Sequence, residues 1–163
     1  MTTNVVSAKN LILNANPVRH SCYRNMFDSC YLLVDAPTLP ATTLSTKCYT
    51  SMFRNCESLR VAPELPATHL ESYCYAAMFR HCYSLVESPE LKADELKNNC
   101  YDGMFDGCTS IETIQCYATS GFDTYHCLYN WVKDVPQTGI FVKSSEKSDW
   151  PEGVNGIPTG WEV

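Results

Sequence analysis

The chain has 163 residues, 12 basic and 18 acidic side chains, a formal net charge of −6, and 45% hydrophobic residues. That length suits one compact domain able to bury a core. The acidic balance and the lack of any Lys/Arg run argue against a nucleic-acid surface, which needs a basic stripe, and no stretch approaches the roughly 18 apolar residues that span a bilayer.

The opening segment, MTTNVVSAKN, lacks a basic region followed by an apolar one, so no signal peptide is expected. A chain soluble as written would act outside a cell only within a larger protein, by another route, or on a virion. Residues 9–18, KNLILNANPV, fit as an incomplete first rung, with Leu13 and Val18 in columns that recur downstream. Next comes CYRNMFDSC at residues 22–30, and related strings return at 48–56, 74–82 and 100–108, each 26 residues after the last. A period between about 20 and 50 residues is the mark of a stacked-repeat architecture.

Between the copies, apolar columns run through Leu33/Leu59/Leu85/Ile111, Leu39/Leu65/Leu91 and Leu44/Leu70/Leu96. The piece L-x-x-A-P-x-L-P carries proline and is too short for a helix, so it reads as a strand. LESYCYAAMFRHC, residues 70–82, places Leu70, Cys74, Phe79 and Cys82 near a 3.6-residue period, which predicts a short helix or 3-10 turns. Thr43 and Thr68 stand where they could cap that helix. The expected fold is therefore an α/β repeat: a solenoid of 26-residue strand–helix rungs with a parallel sheet on its concave side.

The fourth copy decays after Ile111. CLYNWV, residues 127–132, reads as a worn copy with one residue inserted, Trp131 and Val132 standing in the Met and Phe places. The tail from Thr138 is rich in Gly, Pro and Ser. It predicts two short strands, residues 140–143 and 161–163, paired as a capping hairpin, with Trp150 and Trp161 over the last rung. The domains read as residues 1–132 for the repeats with partial first and last rungs, and 133–163 for a C-terminal cap.

The pattern C-Y-x-x-M-F-x-x-C-x-S-L-x-x-A-P-x-L-P-A-T-x-L, complete at residues 48–70, resembles the BspA-like (Treponema pallidum type) leucine-rich repeats. The resemblance covers roughly residues 9–132. It implies a leucine-rich-repeat fold and a role in adhesion or protein binding, as in surface proteins of Bacteroidota and proteins of their bacteriophages. It assigns no function to any particular residue.

Eight of the ten cysteines fall in two columns, Cys22/Cys48/Cys74/Cys100 and Cys30/Cys56/Cys82/Cys108. Packing is the favoured reading, because a thiol is small and behaves as an apolar group. Disulfides within a column are disfavoured, since in-register side chains leave the chain in parallel; Cys116 and Cys127 form the better candidate pair. Structural zinc prefers closely spaced pairs such as C-x2-C, and here the spacing is eight. His81 beside Cys82 belongs to the column Ser29/Asn55/His81/Gly107, which reads as surface variation rather than a catalytic dyad. The column Tyr23/Tyr49/Tyr75/Tyr101 predicts buried rings with hydroxyls reaching backbone partners.

Function falls to positions that vary between copies. Arg60, Glu64, Glu87 and Glu90 on the strand side are the candidate partner-binding residues, with Glu64 and Glu90 forming an acidic stripe; a merely solvated edge is the alternative. Arg54 and Arg80 are expected to pair with nearby acids for little energy. His20, His69, His81 and His126 lie in different columns, no Gly-rich phosphate loop occurs, and no carboxylate pair recurs. The expectation is a non-catalytic module with no cofactor and no metal, binding a protein or surface glycan at a cell surface or outside the cell. The alternative is a structural part of a phage particle, a fibre or decoration protein located on the virion. Oligomeric state stays open.

Overall fold

The structure, a computed structural model, describes residues 5–163; the first four residues of the segment read for an export signal lie outside them. Among the described residues there is no helix, and three short strands are the only regular elements. This overturns the expected α/β strand–helix solenoid, and with it the leucine-rich-repeat architecture.

The reason lies in how each C-Y-x-x-M-F-x-x-C segment uses its amides. In the first copy Cys22, Arg24, Met26, Asp28 and Cys30 each donate to the carbonyl three residues back, at 3.0–3.3 Å. The residues between them donate to the next copy instead: Tyr23 N to Cys48 O at 2.9 Å, and Phe27 N to Met52 O at 2.9 Å. An α-helix commits every interior N–H to its own carbonyl four residues earlier and has none to share with a neighbour. This chain divides its donors between local turns and the adjacent copy. The result is a ribbon of overlapping four-residue turns.

A left-handed residue recurs in step with those turns. Ser21, Asn25 and Ser29 have φ of 53°, 57° and 60°, and the pattern returns at Lys47/Ser51/Asn55, Tyr73/Ala77/His81 and Asn99/Gly103/Gly107. Each occupies the third position of a turn, where φ > 0 is the type II requirement. Left-handed residues every fourth position are incompatible with a right-handed helix. The apolar pairs at 22/23, 26/27 and 30 thus follow a period of four, not 3.6.

On the opposite side the coils meet through parallel bridges, Ser7↔Asp35, Asp35↔Val61 and Val61↔Glu87. Prolines at 37, 40, 63 and 66 supply no N–H, so these coils pair at isolated points rather than along ladders. Where prolines thin out, strands form: β1 (Glu87–Leu91), β2 (Thr113–Cys116) and β3 (Ile140–Lys143) make a parallel sheet in that order. Pro89 sits in the register shift between Glu87 and Glu90, while proline-free β2 and β3 pair residue for residue.

Between these two sides lies a core of side-chain files. Tyr23, Tyr49, Tyr75 and Tyr101 stack with centroids 5.6, 5.8 and 6.3 Å apart, and Phe27, Phe53, Phe79 and Phe105 with 5.6, 5.7 and 5.9 Å. Both files end on the buried indole of Trp131. The tail closes that end: Trp131 Nε1 donates to Gly156 O at 2.8 Å, Val132 N to Val154 O at 3.4 Å, and Trp150 stacks on Trp131. The expected capping hairpin is corrected as well. Ile140 bridges Glu162 in parallel, so residues 140–143 and the chain end do not form an antiparallel pair.

Candidate functional site

The ten cysteines are all free thiols, nine of them buried and Cys22 exposed. Cys56, Cys82 and Cys108 each donate from Sγ to the carbonyl of Phe27, Phe53 and Phe79 in the preceding coil, at 3.1 Å. Burial pushes the thiol pKa up to about 11 at Cys48 and about 12 at Cys56, Cys100 and Cys116. A reactive cysteine needs the opposite shift. Cys116 and Cys127 are buried and unbridged. Among the described residues, no three His, Cys, Asp or Glu side chains are placed to hold a metal ion.

The tyrosine file departs from expectation at its hydroxyls. The rings of Tyr49, Tyr75 and Tyr101 are buried, but Tyr49 Oη has no hydrogen-bond partner. Burial of the ring carries the file, not the phenol. His81 also does more than vary a surface: its Nδ1 lies 3.1 Å from Asn55 Oδ1, and Asn55 Nδ2 reaches Ser29 Oγ at 3.3 Å. Arg54 forms a two-pronged pair with Asp28, and Arg80 meets the nearly buried carboxylate of Asp106 at 3.0 Å.

A concave surface lies on the strand side, where two adjacent coils are held by the bridge Val61↔Glu87. Pro63 and Pro89 line the gap, a groove of about 600 Å³. Arg60, Glu64, Glu87 and Glu90 all border it, the first two from one coil and the last two from β1. A second groove of about 590 Å³ continues from it past Pro37 and Pro40, sharing Pro63 and Glu64.

The four charges are not equivalent. Glu87 accepts from Gln115 Nε2 at 2.7 Å, and Glu90 pairs with Lys92 at 3.2 Å. Among the described residues Arg60 and Glu64 make no ion pair, so they are the charges left to a ligand. Lys92 was missed in the sequence. Its signal was there, since the column reads Pro40, Pro66, Lys92 and the third copy breaks the Leu-Pro pattern. Val61, 74% exposed between the charges, is a second residue the charge-based reading passed over.

No protein-family model matches this chain, and no curated protein or solved structure matches it. The functional reading therefore rests on the groove and the residues around it.

Proposed function

We propose that the chain is a non-catalytic recognition module that takes an extended polypeptide along the groove between residues 60–65 and β1. The observation that carries this reading is one groove with an unpaired acid, an unpaired base and an exposed apolar side chain, Glu64, Arg60 and Val61, along one wall. A proline-interrupted wall leaves main-chain groups without a ladder partner, and extended peptides bind such edges through their own backbone. The free charges would fix register and choose partners rather than provide most of the affinity. High thiol pKa values favour binding over covalent chemistry.

The test is a selection of peptides from a random display library on the wild-type chain, followed by binding to Glu64→Lys with Glu90→Lys. Both side chains are exposed, so the double variant should keep its thermal midpoint. Binding of the selected peptides should fall at least about tenfold, the size of a lost charge complementarity of about 1.4 kcal/mol. Unchanged binding, or a selection that yields nothing while a glycan array does, rejects the reading.

A further inference from the structure

The two ends of the stack are finished differently. In each of the first four turn segments, five alternate residues donate their N–H to five carbonyls of the next segment; from the first, Ser21, Tyr23, Asn25, Phe27 and Ser29 donate to Thr46, Cys48, Thr50, Met52 and Arg54. The direction never changes, so each segment shows donors to its successor and acceptors to its predecessor. At the C-terminal end the tail receives two of the next donors, Asn130 N going to Asn155 Oδ1 and Val132 N to Val154 O. At the N-terminal end the carbonyls of His20, Cys22, Arg24, Met26 and Asp28 accept no hydrogen bond among the described residues.

The side chains at that end are open too. Met26 is 45% exposed, whereas Met52, Met78 and Met104 are 0%. Cys22 is exposed while its column mates are buried, and Tyr23 has a ring partner on one side only. Leu11 and Ile12 continue the patch, at 39% and 61% exposed. Apolar surface combined with an unpaired edge is a template for another chain.

The polarity of the edge selects the occupant. A second copy meeting first segment to first segment would set acceptors against acceptors. A second copy arriving with its C-terminal end brings a layer already covered by its own tail, which takes the Asn130 and Val132 amides and closes over Trp131. We propose that the N-terminal end of the stack docks a turn segment of a different polypeptide, one carrying the C-Y-x-x-M-F type of pattern with its five alternate N–H groups unpaired. Such a segment extends the Tyr, Met and Phe files by one layer and satisfies the row of carbonyls. This inference stands apart from the groove, which lies on the other side of the coils.

The test uses the whole chain and a synthetic peptide with the sequence of residues 45–57, its two cysteines replaced by serine. Alkylation of Cys22, the exposed thiol, is the readout. The peptide at ten times its dissociation constant should slow this alkylation about tenfold. A peptide N-methylated at the residues corresponding to Lys47, Tyr49, Ser51, Phe53 and Asn55 keeps every side chain but lacks the donors, and should give no protection. Met26→Glu, a change at an exposed site, should keep the fold and lose the protection. The proposal is overturned by absence of protection at millimolar peptide, by equal protection from the N-methylated peptide, or by slowing that rises with the chain's own concentration alone.

Discussion

A thiol in these files combines two properties that alanine and serine divide between them. It fills the space between stacked coils, and it donates weakly to a carbonyl of the preceding coil, as Cys82 does to Phe53 at 3.1 Å. Packing of the cysteines was legible in the sequence because two columns recurred beside large aromatic columns. The sulfur hydrogen bond was not, since it depends on a carbonyl 29 positions away. Burial also makes these thiols a source of pH dependence. Desolvation is the leading cause that raises Cys48 from 9.0 to about 11, Cys56 and Cys100 to about 12, and Cys74 and Cys82 well above 9.0. The native state therefore holds protons that the unfolded chain releases above pH 9. The stabilisation is complete below the unfolded value and is lost as pH rises through 9 towards the folded values. Each such thiol lowers stability by about 1.4 kcal/mol per pH unit in that window. Denaturant midpoints should be flat from neutral pH up to pH 9 and then fall steeply, with a shallower fall for Cys56→Ala. A flat profile above pH 9 would contradict the burial.

At the scale of the element, which residues become neighbours could be read from the sequence, while the backbone that carries them could not. Side chains 26 apart in sequence stack because alternate amides join each copy to the next. Leu70, Cys74, Phe79 and Cys82 satisfy a helical period loosely, but the doublets Cys74/Tyr75 and Met78/Phe79 satisfy a period of four without exception. What separates the two is the left-handed residue at the third position of every other turn, and only some copies advertise it with Asn or Gly. Tyr73, Ala77 and Lys47 occupy the same positions at φ 58°, 51° and 61°. Far-UV circular dichroism should accordingly lack the paired minima of an α-helix. Ala77→Gly removes the left-handed cost at a site where Gly103 already stands in the next coil, so it should stabilise by up to about 1 kcal/mol. The reverse change is harmful where space is short. A Cβ on Gly107, at φ +78°, would lie 2.4 Å from Cδ2 of His81, a ring held by Asn55. Gly107→Ala should cost about 1–3 kcal/mol, and His81→Ala should recover the steric part but not the backbone part. Additive effects of the two changes in thermal unfolding would show that the ring does not hold that position.

For the molecule as a whole, the question is how far the finish at one end governs the stack. Trp131 closes both ring files, and the segment from Trp150 to Ile157 closes over Trp131. That segment is turned tightly on itself: Ile157 N donates to Pro151 O at 2.8 Å, and Gly153 N to Ile157 O at 2.8 Å. A Cβ on Gly156 would fall 2.0 Å from the carbonyl oxygen of Pro151, a backbone atom that cannot swing aside. Gly156→Ala must therefore open the segment, release the Trp131 indole from its hydrogen bond, and uncover Trp150. The expected loss is on the order of 3 kcal/mol, with tryptophan emission moving to longer wavelength. Gly153→Ala is the control. Its Cβ meets nothing within 4 Å, so only the strain of φ +91° remains and the tryptophans should stay buried. In a stack where each coil touches only its neighbours, the damage should fade with distance from the altered end. Amide exchange should quicken at Tyr101 and Phe105, which donate to the carbonyls of Cys127 and Trp131, and leave Tyr49 and Phe53 as slow as before. Equal acceleration at both sites would mean that the coils unfold as one cooperative unit and that their stability is not built layer by layer.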